Sequence, residues 1–165
     1  PIFIHPTSFA SDRFSNHYLT NIIGNPLDTT VAMHYLIFGG VLERFPNLKF
    51  VLSHGGAFAA AYAGRMDHGY GSRPDCREHI SMPPSHYLSK FYPDSLVFTV
   101  DQLQFLINKF GPDHVLIGTD YPFDMGEYDP VEHVYQVPGL SSDNRDLICG
   151  GNALRLMHMT EDDCK

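Results

Sequence analysis

The chain has 165 residues, 43% hydrophobic and 18% charged, a balance with which it can bury a sizeable core as one unit spanning residues 1–165. Against 19 Asp and Glu stand only 11 Lys and Arg, for a formal net charge of −8 with no basic run, which excludes the electrostatic footprint of a nucleic-acid binder. No apolar run approaches the roughly 20 residues needed to cross a bilayer, and there is no recognisable signal peptide.

In chain order, the first element is an apolar run, Ile2-Phe3-Ile4, that stops at His5-Pro6. It reads as a strand from the outset, and we expect an upstream part of the natural protein to precede it. Thr29 to Arg44 carries apolar positions Val31, Leu36, Ile37, Val41 and Leu42 at helical spacing, with Asp28, Thr29 and Thr30 as candidate N-caps and Phe45-Pro46-Asn47 as the stop. Phe50-Val51-Leu52-Ser53 is a second strand, ending at His54-Gly55-Gly56. An Ala-rich helix is expected over about 58–66, and Tyr70 to Tyr87, with Gly71, Pro74, Pro83 and Pro84, reads as a long loop. A third strand is expected at 95–99, a helix over 101–109 ended by Gly111-Pro112, and a fourth strand at 114–119, ending at Asp120-Tyr121-Pro122. The tail, 142–157, reads as two short helices broken at Gly150-Gly151. The strand candidates are continuous rather than alternating in hydrophobicity, which suits a parallel sheet buried on both faces, with right-handed crossovers.

Three strand ends carry a residue able to bind metal or move a proton: His5, His54 and Asp120. Parallel α/β folds build their sites at the carboxyl ends of strands, so residues far apart in sequence can meet there. Two imidazoles and a carboxylate suit zinc or another first-row divalent ion. Taken singly, each has a plainer reading, a structural histidine or a turn-forming aspartate; three equivalent placements together favour function. The other histidines form no H-x-H and no H-E-x-x-H. Gly55-Gly56 lacks the full dinucleotide fingerprint, and there is no G-x-S-x-G elbow. Cys76, Cys149 and Cys164 are odd in number and widely spaced, with no C-x-x-C, which argues against a disulfide framework and for a reducing, cytoplasmic setting.

The ordered set Gly24-Asn25-Pro26, Thr29-Thr30, Gly39-Gly40-Val41, Arg44-Phe45-Pro46-Asn47-Leu48, Ser53-His54-Gly55-Gly56, Gly118-Thr119-Asp120-Tyr121-Pro122-Phe123 and Gly151-Asn152-Ala153 resembles the amidohydrolase-related family of metal-dependent decarboxylases, over nearly the whole chain. The resemblance implies a parallel (β/α) barrel, here its C-terminal half, strands five to eight, since complete barrels of this class take about 250 residues. It implies His5 and Asp120 as metal ligands, zinc first and manganese next, and His54 as the catalytic proton carrier, with Asp120 sharing that traffic. It also implies that Arg65 reaches a substrate carboxylate across a dimer interface. The family's H-x-H pair is absent from this chain, so the expected partners are a second copy or the missing N-terminal half, besides a small carboxylate substrate. The expected reaction is non-oxidative decarboxylation of a small unsaturated acid. Hydrolysis or hydration on the same scaffold, or a non-catalytic half-barrel, are the alternatives.

Overall fold

A computed structural model of the chain describes residues 1–7, 9 and 11–164. Strand β1 (Ile2–Ile4) is followed by helices α1 (Asn25–Phe38) and α2 (Val41–Arg44), strand β2 (Phe50–Leu52) and helix α3 (Ala63–Ser72). Strand β3 (Phe91–Pro93), helix α4 (Val100–Phe110) and three short helices, α5 (Pro130–Tyr135), α6 (Ser142–Asp146) and α7 (Asn152–Met157), complete the order. The strands pair in parallel in the order β1-β2-β3, with Ile2, Phe50 and Phe91 in register. Leu116 extends this sheet beyond β3 through one parallel bridge to Asp94, its N–H donating to the Pro93 carbonyl at 2.9 Å. The result is a parallel wall with helical crossovers, one part of a barrel.

The alternation of the pleat sorts the side chains. Phe50 and Leu52 point to the helical layer and join Met33 and Ile37 of α1, Ala63 and Met66 of α3, and Phe91. In α1 the buried positions Thr29, Thr30, Met33 and Ile37 form one stripe; in α4 it is Leu103, Leu106, Ile107 and Phe110. A second cluster joins Leu103 and Ile107 to Val115, Val134 and Ile148, and so ties the tail to α4. The opposite face carries Phe3, Val51 and Tyr92 as cross-strand neighbours. Tyr92 is covered by Leu116 and Leu156, whereas Phe3 is 61% exposed.

Several expectations shift. The third strand is not 95–99 but Phe91–Pro93. The amide of Leu96 is captured by the Asp94 carboxylate, and Val97 and Thr99 donate to Ser95 and Val97, so the segment turns toward α4 instead of extending. The fourth strand shrinks to the Leu116 bridge, because the next amide, that of Ile117, donates to Ile148 O and that of Gly118 to Ser95 Oγ. Helix α1 starts at Asn25 with Pro26 in its first turn, so Thr29 and Thr30 lie inside it, their hydroxyls donating to the carbonyls of Asn25 and Pro26 rather than capping. The Ala-rich stretch begins as turns, the helix running instead over Ala63–Ser72 and taking up the start of the expected loop. No helix of the described residues is long and apolar enough to cross a membrane.

Candidate metal centre

His5 lies one residue beyond β1, His54 two beyond β2, and Asp120 four beyond the Leu116 bridge, so all three sit at the carboxyl edge of the sheet. The structure brings them together. His5 Nε2 lies 3.0 Å from Asp120 Oδ1, and His54 Nε2 lies 4.0 Å from Asp120 Oδ2. One nitrogen or oxygen from each of the three falls within 4.8 Å of the others. The rings of His5 and His54 have centroids 5.2 Å apart, and Phe123 stacks on the outer side of His5 at 6.0 Å with an interplanar angle of 14°.

Backbone conformation sets these directions. His54 and Asp120 both take left-handed φ, 56° and 54°, which turns each side chain off the line of its strand. That turn brings Ser53 Oγ within 3.3 Å of His54 Nδ1, although neighbours in an extended strand point to opposite faces. Burial pushes the His54 imidazole below its ordinary value; Asp120 opposes the shift and His5 reinforces it. His54 is therefore neutral at neutral pH and free to accept a proton. Two imidazole nitrogens and a carboxylate oxygen at this spacing match the donor chemistry of a first-row divalent ion.

Two chambers meet at His54 and Asp120. One, of about 350 Å³, has the polar residues Thr7, Tyr18, Asn21 and Asn25 in its wall beside His5. The other, of about 300 Å³, is largely apolar, lined by Phe58, Leu96, Val97, Phe98 and Met125. Tyr18 Oη donates to Asp124 at 2.9 Å across the rim of the first chamber. Arg65 is not part of this constellation; it lies exposed on α3 and lines a separate groove of about 530 Å³ with His34, Phe38 and Tyr62. The sequence reading passed over Tyr18 and Asp94. Asp94 directly follows Phe91–Pro93, whereas the sequence pattern puts the strand after it, at 95–99.

A parallel α/β wall with a His, His, Asp cluster at its carboxyl edge is the arrangement of an α/β protein with a candidate metal site. The amidohydrolase family model matches residues 1–158, and the chain belongs to that family. It is 39% identical over 158 residues to 2-amino-3-carboxymuconate-6-semialdehyde decarboxylase of Dictyostelium discoideum, covering 94% of this chain and 44% of the relative. Among solved structures, 5-carboxyvanillate decarboxylase from Sphingomonas paucimobilis is 28% identical with a TM-score of 0.83, covering 96% of this chain and 49% of that one. A dihydroxybenzoic acid decarboxylase from a Polaromonas species, solved with bound manganese, shares the fold at 23% identity and a TM-score of 0.81, covering 98% of this chain and 51% of that one. The chain thus spans about half the length of the relatives it matches.

Proposed function

We propose that this chain carries the carboxyl-end half of the active site of a metal-dependent, non-oxidative decarboxylase acting on a small unsaturated carboxylic acid of the aminocarboxymuconate semialdehyde kind. The observation that supports it is the convergence of His5, His54 and Asp120 within 4.8 Å at one mouth. Relatives named as decarboxylases favour C–C cleavage over hydrolysis or hydration on the same scaffold. His5 and Asp120 are the residues that would hold the ion, zinc first and manganese next. When bound, such an ion supplies Lewis acidity toward the substrate's oxygens.

His54 does the proton work. Held neutral by burial, it takes up a proton from solvent at Nε2, on the side facing Asp120 Oδ2, and delivers it to the carbon that bears the leaving carboxylate. The C–C bond electrons then flow back into the unsaturated body as CO₂ departs. The chamber walled by Phe58, Leu96, Val97 and Phe98 would take that planar body, and the one walled by Thr7, Tyr18, Asn21 and Asn25 its hydrogen-bonding groups. Arg65, which lines a groove apart from its own chain's cluster, serves a neighbouring site by meeting a substrate carboxylate across a homodimer interface, and association with the N-terminal half of a barrel completes the metal site. Residues 1–165 act as one unit in this scheme. The three free thiols, Cys76, Cys149 and Cys164, accord with a cytoplasmic protein.

The test uses the metal-loaded protein, with its complementary half where the natural chain supplies one, and follows CO₂ release from candidate unsaturated acids. His54→Ala should lower turnover by at least about 10²-fold while elemental analysis finds the metal retained. Undiminished turnover in that variant removes His54 from the mechanism, and the absence of any stoichiometric metal in the parent protein removes the metal centre.

A further inference from the structure

We infer that Asp94 is a positioning residue that fixes, through the backbone, the two segments presenting His54 and Asp120 to each other. The inference rests on the reading of those two residues given above, and it concerns how they come to face one another.

The segment after β2 is an unusual piece of chain. His54, Gly55, Gly56 and Ala57 all have left-handed φ, 56°, 62°, 69° and 54°. For His and Ala this region is disfavoured, and such a run persists only when its surroundings hold it. Turn bonds from Gly56 to Ser53 O and from Ala57 to His54 O close it locally, and the Asp94 carboxylate holds it from outside. Its Oδ1 accepts the Gly55 N–H at 2.7 Å and the Leu96 N–H at 3.2 Å. These bonds tie the turn that aims His54 to the exit of the neighbouring strand.

The other flank of the same side chain meets the segment leading to Asp120. A Cβ placed on Gly118 would come within 2.7 Å of Asp94 Cβ and 3.0 Å of Asp94 Oδ2, so Gly118 is glycine because the backbone lies directly against Asp94. Gly118 N–H donates to Ser95 Oγ at 3.2 Å, which pins that segment from the same loop. One side chain is therefore wedged between the backbone one residue after His54 and the backbone two residues before Asp120.

Asp94 is only 7% exposed, and none of the ion pairs among the described residues includes it. Burial raises its pKa to about 6, so its charged form is costly at neutral pH. A buried side chain bonded to the turn that carries one working residue and packed against the segment that carries the other holds the two in place.

The test compares wild-type protein with Asp94→Ala, Asp94→Asn and Gly118→Ala, read first without metal. The His5 and His54 rings, 5.2 Å apart between centroids, give a ring–ring nuclear Overhauser effect in the wild type. The effect is lost in Asp94→Ala. It is retained in Asp94→Asn, whose amide oxygen still accepts the Gly55 N–H. Zinc dissociation constants measured on the same samples weaken about 10- to 100-fold in Asp94→Ala, and less in Asp94→Asn. A folded Asp94→Ala protein with the ring–ring effect intact and zinc affinity within about twofold of wild type overturns the inference, since a turn-stabilising role alone would lower only the melting temperature. If Asp94→Ala does not fold, Gly118→Ala decides by the same two readouts, because its methyl group pushes the Asp120 segment off Asp94; unchanged values overturn the inference. Failure of the wild type to bind zinc would instead refute the metal-centre reading, leaving the ring–ring comparison to judge Asp94.

Discussion

At the scale of single residues, burial shifts two neighbouring groups in opposite directions. His54 has a folded-state pKa below its unfolded value, so its contribution to stability is present above about pH 6.5 and is lost as pH falls through the folded value. Asp94 has a folded-state pKa raised to about 6, so its contribution is full below the unfolded value of 3.8 and is lost as pH rises through about 6. The difference between wild type and Asp94→Asn isolates the second group. Urea unfolding from pH 4 to 8 should show wild type losing ground to Asp94→Asn by up to about 3 kcal/mol, with the change complete near pH 7, at roughly 1.4 kcal/mol per pKa unit. A pH-independent difference contradicts the buried-charge account. The proposed ligands are tested separately: His5→Ala or Asp120→Ala should weaken zinc binding by at least about 10-fold in isothermal titration. Acidification should release zinc from the wild type, because imidazole binds metal only when neutral.

At the scale of elements, the turn after β2 does more than its length suggests. Gly55 has φ +62°, and a Cβ there would lie 2.5 Å from Val97 Cγ1 and 2.7 Å from Leu106 Cδ1. Gly55→Ala thus combines backbone strain with overpacking against α4 and should cost about 2–4 kcal/mol, read as a lowered melting temperature. A melting temperature equal to that of wild type would mean that the turn is not packed as described. The sequence made this turn visible, since Gly55-Gly56 after an apolar run marks a strand end, and it equally marked His5 and Asp120 at theirs. Strand β3 was hidden for a physical reason. Phe91-Tyr92-Pro93 is three residues long and ends in proline, which reads as an interruption, whereas the β-branched and aromatic run at 95–99 has the composition of a strand but spends its amides on turns. Helix α1 was found but started late, because Thr29 and Thr30 look like caps when the actual opening signal is Pro26. Long-range contacts such as Tyr18 with Asp124 leave no local pattern, so the sequence could not announce them.

At the scale of the molecule, the wall has an uncovered flank. Among the described residues β1 pairs only with β2, and its inward-facing Phe3 is 61% exposed. Ile2 N–H donates to Lys49 O and Ile4 O accepts from Ser53 N–H, so in the alternating parallel pattern the N–H and C=O of Phe3 face the open edge. An unpaired edge beside an apolar side chain is a template for strand addition, by another copy or by a complementary half of the barrel. Light scattering across about 1–100 μM, the range in which exposed edges drive association, should show the chain forming oligomers. Phe3→Pro removes the outward donor and the aromatic ring together, and it leaves the β1–β2 hydrogen bonds in place because those belong to Ile2 and Ile4. It should shift the protein toward monomer with its circular dichroism unchanged. Tyr62→Lys, in the groove lined by Arg65, supplies the contrasting arm: if it dissolves the oligomer and Phe3→Pro does not, the copies meet through the α1–α3 groove, and the open edge of β1 is not the surface that drives association.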